Sequence, residues 1–301
     1  MATVLITGGT GMIGSALTKQ LNKNSHKVII LTRNPRNFQN SDQLKYAGWN
    51  PSNGNIDIGA IQSADHIVNL AGENLGDKRW TKTQKEKIVN SRVKSGELLV
   101  KSVASIPNNI KSIISSSAIG WYGPDHPEGK PFIESDPASN DFLGNTCKAW
   151  EESIEPVQKM GKRLVILRTG IVIIKDEGYL GKLQNIFRWG ICPISSNGKQ
   201  MISWIQIDDL IAAYQYAIDH PGMQGVYNAV SPSPVSNEEM MLSIKKSLHS
   251  RAIPIHVPAW ALRMRLGEMS VELLKSATVS SEKLQDAGLK FKYPVITSAL
   301  A

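Results

Sequence analysis

A chain of 301 residues, 41% hydrophobic and 20% charged, carries enough apolar material for one large core or a core with a smaller appendage, which excludes a disordered or fibrous protein. Two cysteines are too few for a disulfide framework or a metal knot, and six scattered histidines lack metal-ligand spacing, so no metal site is expected. The net charge of +8 admits an anionic partner, and its distribution matters more than its total.

The N-terminal "MATVLITGGTGMIG" has too short an apolar run and no basic flank for a signal peptide, and reads as a buried strand. No stretch approaches the roughly eighteen apolar residues of a membrane span, so a cytoplasmic or organelle-matrix protein without a membrane partner is expected. After the strand come Gly8, Gly11 and Gly14 at three-residue spacing, then a helix start. Glycine allows the tight turn, close approach of backbone N–H groups to a pyrophosphate, and close helix-to-strand packing. The phosphate would rest on the positive end of the helix, with Thr10, Met12 and Ile13 on the same turn.

The second strand, "KVIILT", ends where an acidic residue would bind the ribose 2′-hydroxyl of NAD. Thr32 and Arg33 stand there instead, and a guanidinium suits a 2′-phosphate, so NADP is favoured. "YAGWN" reads as a short strand and "HIVNL" as the fourth. Between Asp77 and Lys101 lie eight basic residues against three acidic ones, on a helix expected from Thr83 to Ala104 with Val89, Val93, Val100 and Ala104 on one face. A solvated helix face accounts for these charges, and nucleic acid is disfavoured because no interleaved aromatic stacking pattern or recognisable binding motif accompanies them.

"SIISSS" and "RLVILRTG" complete the strands, after which the pattern loosens through "GYLGKLQNIFRWG" and "CPISSNGKQ" before "WIQIDDLIAAYQYAID" and "GVYNAV" return to the core. The alternation predicts an α/β chain: a Rossmann-type doubly wound parallel sheet over residues 1–232, with 173–203 an excursion toward the substrate side. Ser231 to Asn237 reads as a linker, and 233–301 as a small helix-rich C-terminal lobe containing the strand-like "IPIHV". Ligands in such a sheet bind beyond the carboxyl ends of the strands.

"TGGTGMIG", "NLAG", "SSSAIGWYG" and "WIQIDDL" together resemble the extended short-chain dehydrogenase/reductases, the NAD(P)-dependent epimerase/dehydratase family. "NLAGENL", Arg79–Trp80, "NSRV", "FLGNTCKAWE", "LGEMSVELL" and "KLQDAGLKFKYP" resemble an epimerase-like subgroup of it with a small C-terminal domain of unknown function. The resemblance implies that Leu70, Ala71 and Gly72 line the adenine and ribose side, that Arg92 lies near the cofactor, and that Val172 contacts the nicotinamide side. It also implies catalytic roles for Ser117 and Lys148. Gly144 falls where the family's Tyr-x-x-x-Lys would place its tyrosine, and glycine has no acid-base chemistry.

Three substitutes for the missing phenol are open: a titrating Lys148, the phenol of Tyr122, or a substrate or bound water. Glu73, Asn74, Arg79, Trp80, Trp121, Tyr122, Trp189 and Trp204 are candidates for the substrate side. The expectation is an NADP(H)-dependent oxidoreductase or epimerase-like enzyme for a small carbonyl or hydroxyl substrate, with homo-oligomerisation left open. The alternative is a non-catalytic NADP(H)-binding sensor or scaffold module.

Overall fold

Runs of β-branched residues form strands and the longer amphipathic stretches between them form helices, in a computed structural model that describes residues 1–175 and 177–301. The first half contains β1 (Thr3–Thr7), α1 (Met12–Lys23), β2 (Lys27–Thr32), β3 (Leu44–Asn50), β4 (Asn55–Ile56), α2 (Ile58–Ser63), β5 (His66–Asn69), α3 (Lys82–Ser105), β6 (Ser112–Ala118) and α4 (Phe142–Ile154). Next come β7 (Arg163–Thr169), β8 (Ile171–Ile173), α5 (Gly178–Arg188), β9 (Ile191–Ser195), β10 (Met201–Ile202), β11 (Trp204–Gln206), α6 (Ile207–Asp219) and β12 (Gly225–Ala229). The chain closes with β13 (Val235–Ser236), α7 (Asn237–Ser247), β14 (Ile253–Val257), α8 (Ala259–Leu266), α9 (Ser270–Leu274), α10 (Glu282–Asp286) and α11 (Ile296–Ala299).

The main sheet has eight strands in the order β12-β7-β6-β5-β1-β2-β3-β4, parallel except for the β3–β4 hairpin. Chain order reverses between β1 and β5, so a crevice opens beyond their carboxyl ends. Thr7 is opposite both Leu31 and Asn69, which brings the ends of β1, β2 and β5 level.

Side chains alternate across the sheet, as the strand period of two requires. Val4, Ile6, Val28, Ile30 and Val68 pack against Leu17 and Leu21 of α1 and Leu210 and Tyr214 of α6. Leu5, Ile29, Leu31, Ile67 and Ile113 pack against Ile61 of α2, Leu98 and Leu99 of α3 and Ile154 of α4. The buried stripe of α3 is Ile88, Arg92, Gly96, Leu99 and Val103, one residue before the expected valines, of which Val89, Val93 and Val100 are half-buried. Ala104 is exposed. Small and polar residues occupy the interface with α4, and apolar periodicity gives them no weight.

A separate apolar cluster joins Ile173, Leu180, Phe187 and Trp204 to Val235, Met240, Ile244 and Ile296. There β9 pairs with β14 in parallel and β10 with β13 in antiparallel fashion. The stretch from Ser231 to Asn237, expected to be a linker, therefore contains a paired strand, and Ser231, Val235 and Asn237 are buried. Leu284 and Leu289 return to the first core, where Asp209 accepts hydrogen bonds from the backbone N–H groups of Lys292 (2.8 Å) and Tyr293 (2.9 Å). Among the described residues no helix is long and apolar enough to cross a membrane.

Candidate functional site

The glycine turn joins β1 to α1 with Gly8 in the left-handed region at φ 67°. Gly11 donates its N–H to the Gly8 carbonyl at 3.0 Å, and a Cβ on Gly14 would come within 2.5 Å of that oxygen. The turn is thus as tight as backbone contact allows. Gly11 at the N-cap has no side chain, so it leaves the first-turn N–H groups of α1 open to a ligand. At the end of β1, the Thr7 hydroxyl donates to Asn69 Oδ1 of the neighbouring β5 at 2.8 Å and accepts the N–H groups of Leu70 and Ala71, both at 3.1 Å. Ser95 donates to the same Asn69 oxygen at 3.0 Å, which fixes the β5 end from α3.

These two loops wall a cavity of about 780 Å³ at the β1–β5 switch point. Of the expected residues, Gly8, Thr10, Gly11, Thr32, Arg33, Leu70, Ala71 and Gly72 line it. So do Trp49, Asn50 and Ser52 at the end of β3 and Lys87, Asn90, Ser91 and Lys94 on α3, which the sequence had not singled out. The basic run carried a signal for Lys87 and Lys94, since residues seven apart share a helix face.

Five expected cofactor residues are not on the cavity lining, although the backbone N–H groups of Met12 and Ile13 belong to the open first turn of α1. The sulfur of Met12 would be 3.0 Å from a Cβ on Gly178, so Met12 faces α5, and Ile13 packs against the first core. Gly14 is a packing position under the turn, as its contacts show. Val172 is half-buried on β8, opposite Ile205, and packs on the first core. Arg92 faces α4 and is buried: its Nη1 donates to the carbonyls of Glu73 at 3.1 Å and Ile88 at 3.0 Å, and its guanidinium lies 4.9 Å from the Trp150 ring centroid. Burial pulls its pKa below the ordinary guanidinium range. Arg92 supports the loop that forms the wall and does not itself line the cavity.

At the end of β6, Ser117 is 2% exposed and donates its hydroxyl to Glu151 Oε1 at 2.6 Å. Arg168 grips both oxygens of Glu151 at 2.9 Å, and its Nη1 donates at 3.1 Å to the Tyr122 hydroxyl and to the Glu134 carbonyl. Tyr122 passes its own proton toward Asn228 Oδ1 at 2.7 Å. This closed network packs β6, β7, β12 and α4 together. Burial pushes the Tyr122 phenol up to about 12 against the opposing pull of Arg168.

Lys148 does not join Ser117. Its side chain is 57% exposed, and its Nζ lies 3.9 Å from Glu152 one turn on. Successive helical residues are about 100° apart, so the Gly144–Lys148 stripe and the Leu143–Cys147–Glu151 stripe face different ways. All three residues of the second stripe are buried, whereas on the first Gly144 is buried and Lys148 is exposed. A Cβ on Gly120, just after β6, would meet Leu143 Cβ at 3.2 Å and Cys147 Sγ at 3.7 Å. Cys147 is a neutral thiol, pushed up to about 12 by burial and by Glu151. Gly144 faces the Ser139 carbonyl, where a Cβ would lie 2.1 Å from the oxygen.

The proposed substrate-side aromatics also separate. Trp204 is fully buried and Trp189 is 84% exposed, whereas Trp121 stacks on Arg168 at 3.6 Å and Trp80 packs edge-on to Phe142 at 5.1 Å between centroids. Among the described residues no cluster of His, Cys, Asp or Glu could hold a metal ion.

Residues 4–149 match the model of the NAD dependent epimerase/dehydratase family, and residues 257–301 match a domain of unknown function (DUF1731). The chain is 35% identical over 301 residues to an epimerase family protein of Mycobacterium leprae, covering all of this chain and 95% of that protein. It is 32% identical to an epimerase family protein of Staphylococcus aureus, covering 100% and 98%. Among solved structures, human epimerase family protein SDR39U1 (isoform 2) with NADPH superposes with a TM-score of 0.85 at 27% identity, over 99% of this chain and 97% of that one. A nucleoside-diphosphate sugar epimerase from Corynebacterium glutamicum superposes with a TM-score of 0.78 at 31% identity, this chain spanning 57% of its length. The glycine turn, the switch-point crevice and near full-length similarity to the mycobacterial, staphylococcal and human proteins agree: the chain belongs to the epimerase family, within the NAD-dependent epimerases and dehydratases.

Proposed function

We propose that the cavity holds NADP(H) and that the chain is an epimerase-like oxidoreductase for a small carbonyl or hydroxyl compound. The observation that carries this is Arg33 on the cavity wall, at the place where an acidic residue would select NAD. The fit is physical: a turn in which a Cβ on Gly8 or Gly14 would run into backbone, open helix N–H groups for a pyrophosphate, and a cationic rim for a 2′-phosphate. The presence of NADPH in the human relative supports the same choice. Bound there, the cofactor would accept or donate hydride.

The chain's own residues divide the remaining work. First-turn N–H groups of α1 bind phosphate, Arg33 reads the 2′-phosphate, and Leu70 and Ala71 pack along the adenosine. Ser117 shapes the end of β6 through Glu151. Lys148 is turned to solvent and Tyr122 is bound on both sides, so the proton that accompanies hydride is best supplied by substrate or water in the open cleft. The same two facts favour, as a second reading, an NADP(H)-holding module without turnover.

Arg33→Ala should raise the dissociation constant for NADPH by tenfold or more, about 1.4 kcal/mol, and change that for NADH by less than twofold. Titration calorimetry with both cofactors checks this, and equal losses would remove the NADP assignment. NADPH oxidation across a panel of small aldehydes and ketones separates the enzyme from the module, because tight binding with no turnover on any of them selects the latter.

A further inference from the structure

The loop between β5 and α3 begins on the cofactor cavity and ends on the second half of the molecule. At its start, Gly72 and Glu73 line the cavity. Glu73 is held there by its N–H to Ser91 Oγ at 2.9 Å and by Arg92 on its carbonyl. Farther along, Lys182 of α5 donates to the Gly76 carbonyl at 2.8 Å and reaches Asp77 at 2.9 Å. Arg79 then places its guanidinium on the last carbonyls of α8: Nε donates to Arg265 at 3.0 Å, and Nη2 donates to Arg265 at 2.6 Å and to Met264. Lys85, at the start of α3, pairs with Glu268 just beyond.

These contacts matter because α8 has little else to hold it. None of its residues is buried, and Trp260 and Met264 are 65% and 71% exposed. A helix with so little apolar burial opens locally at low cost, so a cation on its terminal carbonyls is a large share of its anchorage. The contacts also involve two sequence motifs that the proposed chemistry leaves unused: Arg79 of Arg79–Trp80 reaches the carbonyls just before "LGEMSVELL", and Glu268 within that motif pairs with Lys85.

We propose that Arg79 and Lys85 are positioning residues of a clasp that couples occupancy of the dinucleotide cavity to docking of residues 259–269. The inference rests on the assignment of the cavity to NADP(H). A cofactor that orders Gly72 and Glu73 orders the loop from Gly76 to Trp80, and with it the carbonyl cap on α8. Linkage is reciprocal: whatever factor NADPH contributes to docking, docking contributes to NADPH affinity.

The test is amide hydrogen exchange on the full chain with and without saturating NADPH, beside titration of NADPH into each variant. In the natural sequence NADPH should slow exchange of residues 262–268 by about tenfold, within the usual range of coupling between sites. Arg79→Ala should abolish that slowing, weaken NADPH by a comparable factor, and leave exchange in β1 and β5 unchanged. Arg79→Lys should restore part of the slowing, since one ammonium replaces a two-carbonyl fork. The clasp is overturned if NADPH binds the natural chain without slowing 262–268, or if Arg79→Ala keeps the full effect. A natural chain that binds no NADPH overturns both the clasp and the cofactor assignment.

Discussion

Gly144 occupies a position where a side chain of any size meets backbone, so it cannot be a tyrosine site emptied by one substitution. Its N–H is accepted by Asp141 Oδ1 at 2.8 Å, which caps α4 while the Ser139 carbonyl crosses above. Gly144→Ala is therefore expected to lower stability by about 1–3 kcal/mol, the range for forced overpacking, read as a lower urea midpoint. Lys148→Ala should stay within about 0.5 kcal/mol of the parent and leave any NADPH turnover unchanged, because an exposed ion pair one helical turn long contributes little. Loss of turnover in Lys148→Ala would return that lysine to the chemistry. The spacing of Lys148 and Gly144 was plain in the sequence. Which stripe of α4 faces β6 was not, since both contain residues compatible with burial.

At the scale of the element, α3 carries three separate duties on one helix. Leu98, Leu99 and Val103 hold it to the sheet, Arg92 and Gly96 meet α4 and the loop above, and Lys87 and Lys94 line the cavity. Two lysines of a basic run read as a solvated helix face thus line the cavity. Replacing Lys87 and Lys94 together by alanine should weaken NADPH severalfold at low salt, with the difference fading near 1 M salt, where the Debye length is about 3 Å. Binding measured across a salt series checks this, and a salt-independent loss would point to altered packing instead. The parallel strands were legible because short β-branched runs bounded by turns have few other solutions. The buried stripe of α3 was not, because its neighbours choose small and polar residues for contact.

On the scale of the whole molecule, the C-terminal residues serve two cores. Leu284 and Leu289 complete the first, and Ile296 belongs to the second. Burying each contributes about 1.5–3 kcal/mol, so losing all three removes a large part of the ~5–15 kcal/mol typical of a native protein. The intact chain should unfold in a single calorimetric transition, and a chain ending at residue 256 should show none. Two resolved transitions in the intact chain would mean that the halves fold independently.

The sequence by itself determined the parallel sheet, the glycine turn and the arginine at the end of β2, because each depends on local pattern and spacing, and its motifs carried the resemblance to the family. Tertiary structure alone decided that Lys148 faces water, that Ser117 and Tyr122 belong to a buried network with Glu151 and Arg168, and that Arg79 reaches α8. Those outcomes depend on how helices rotate against the sheet and on residues far apart in the chain, and no local pattern encodes either.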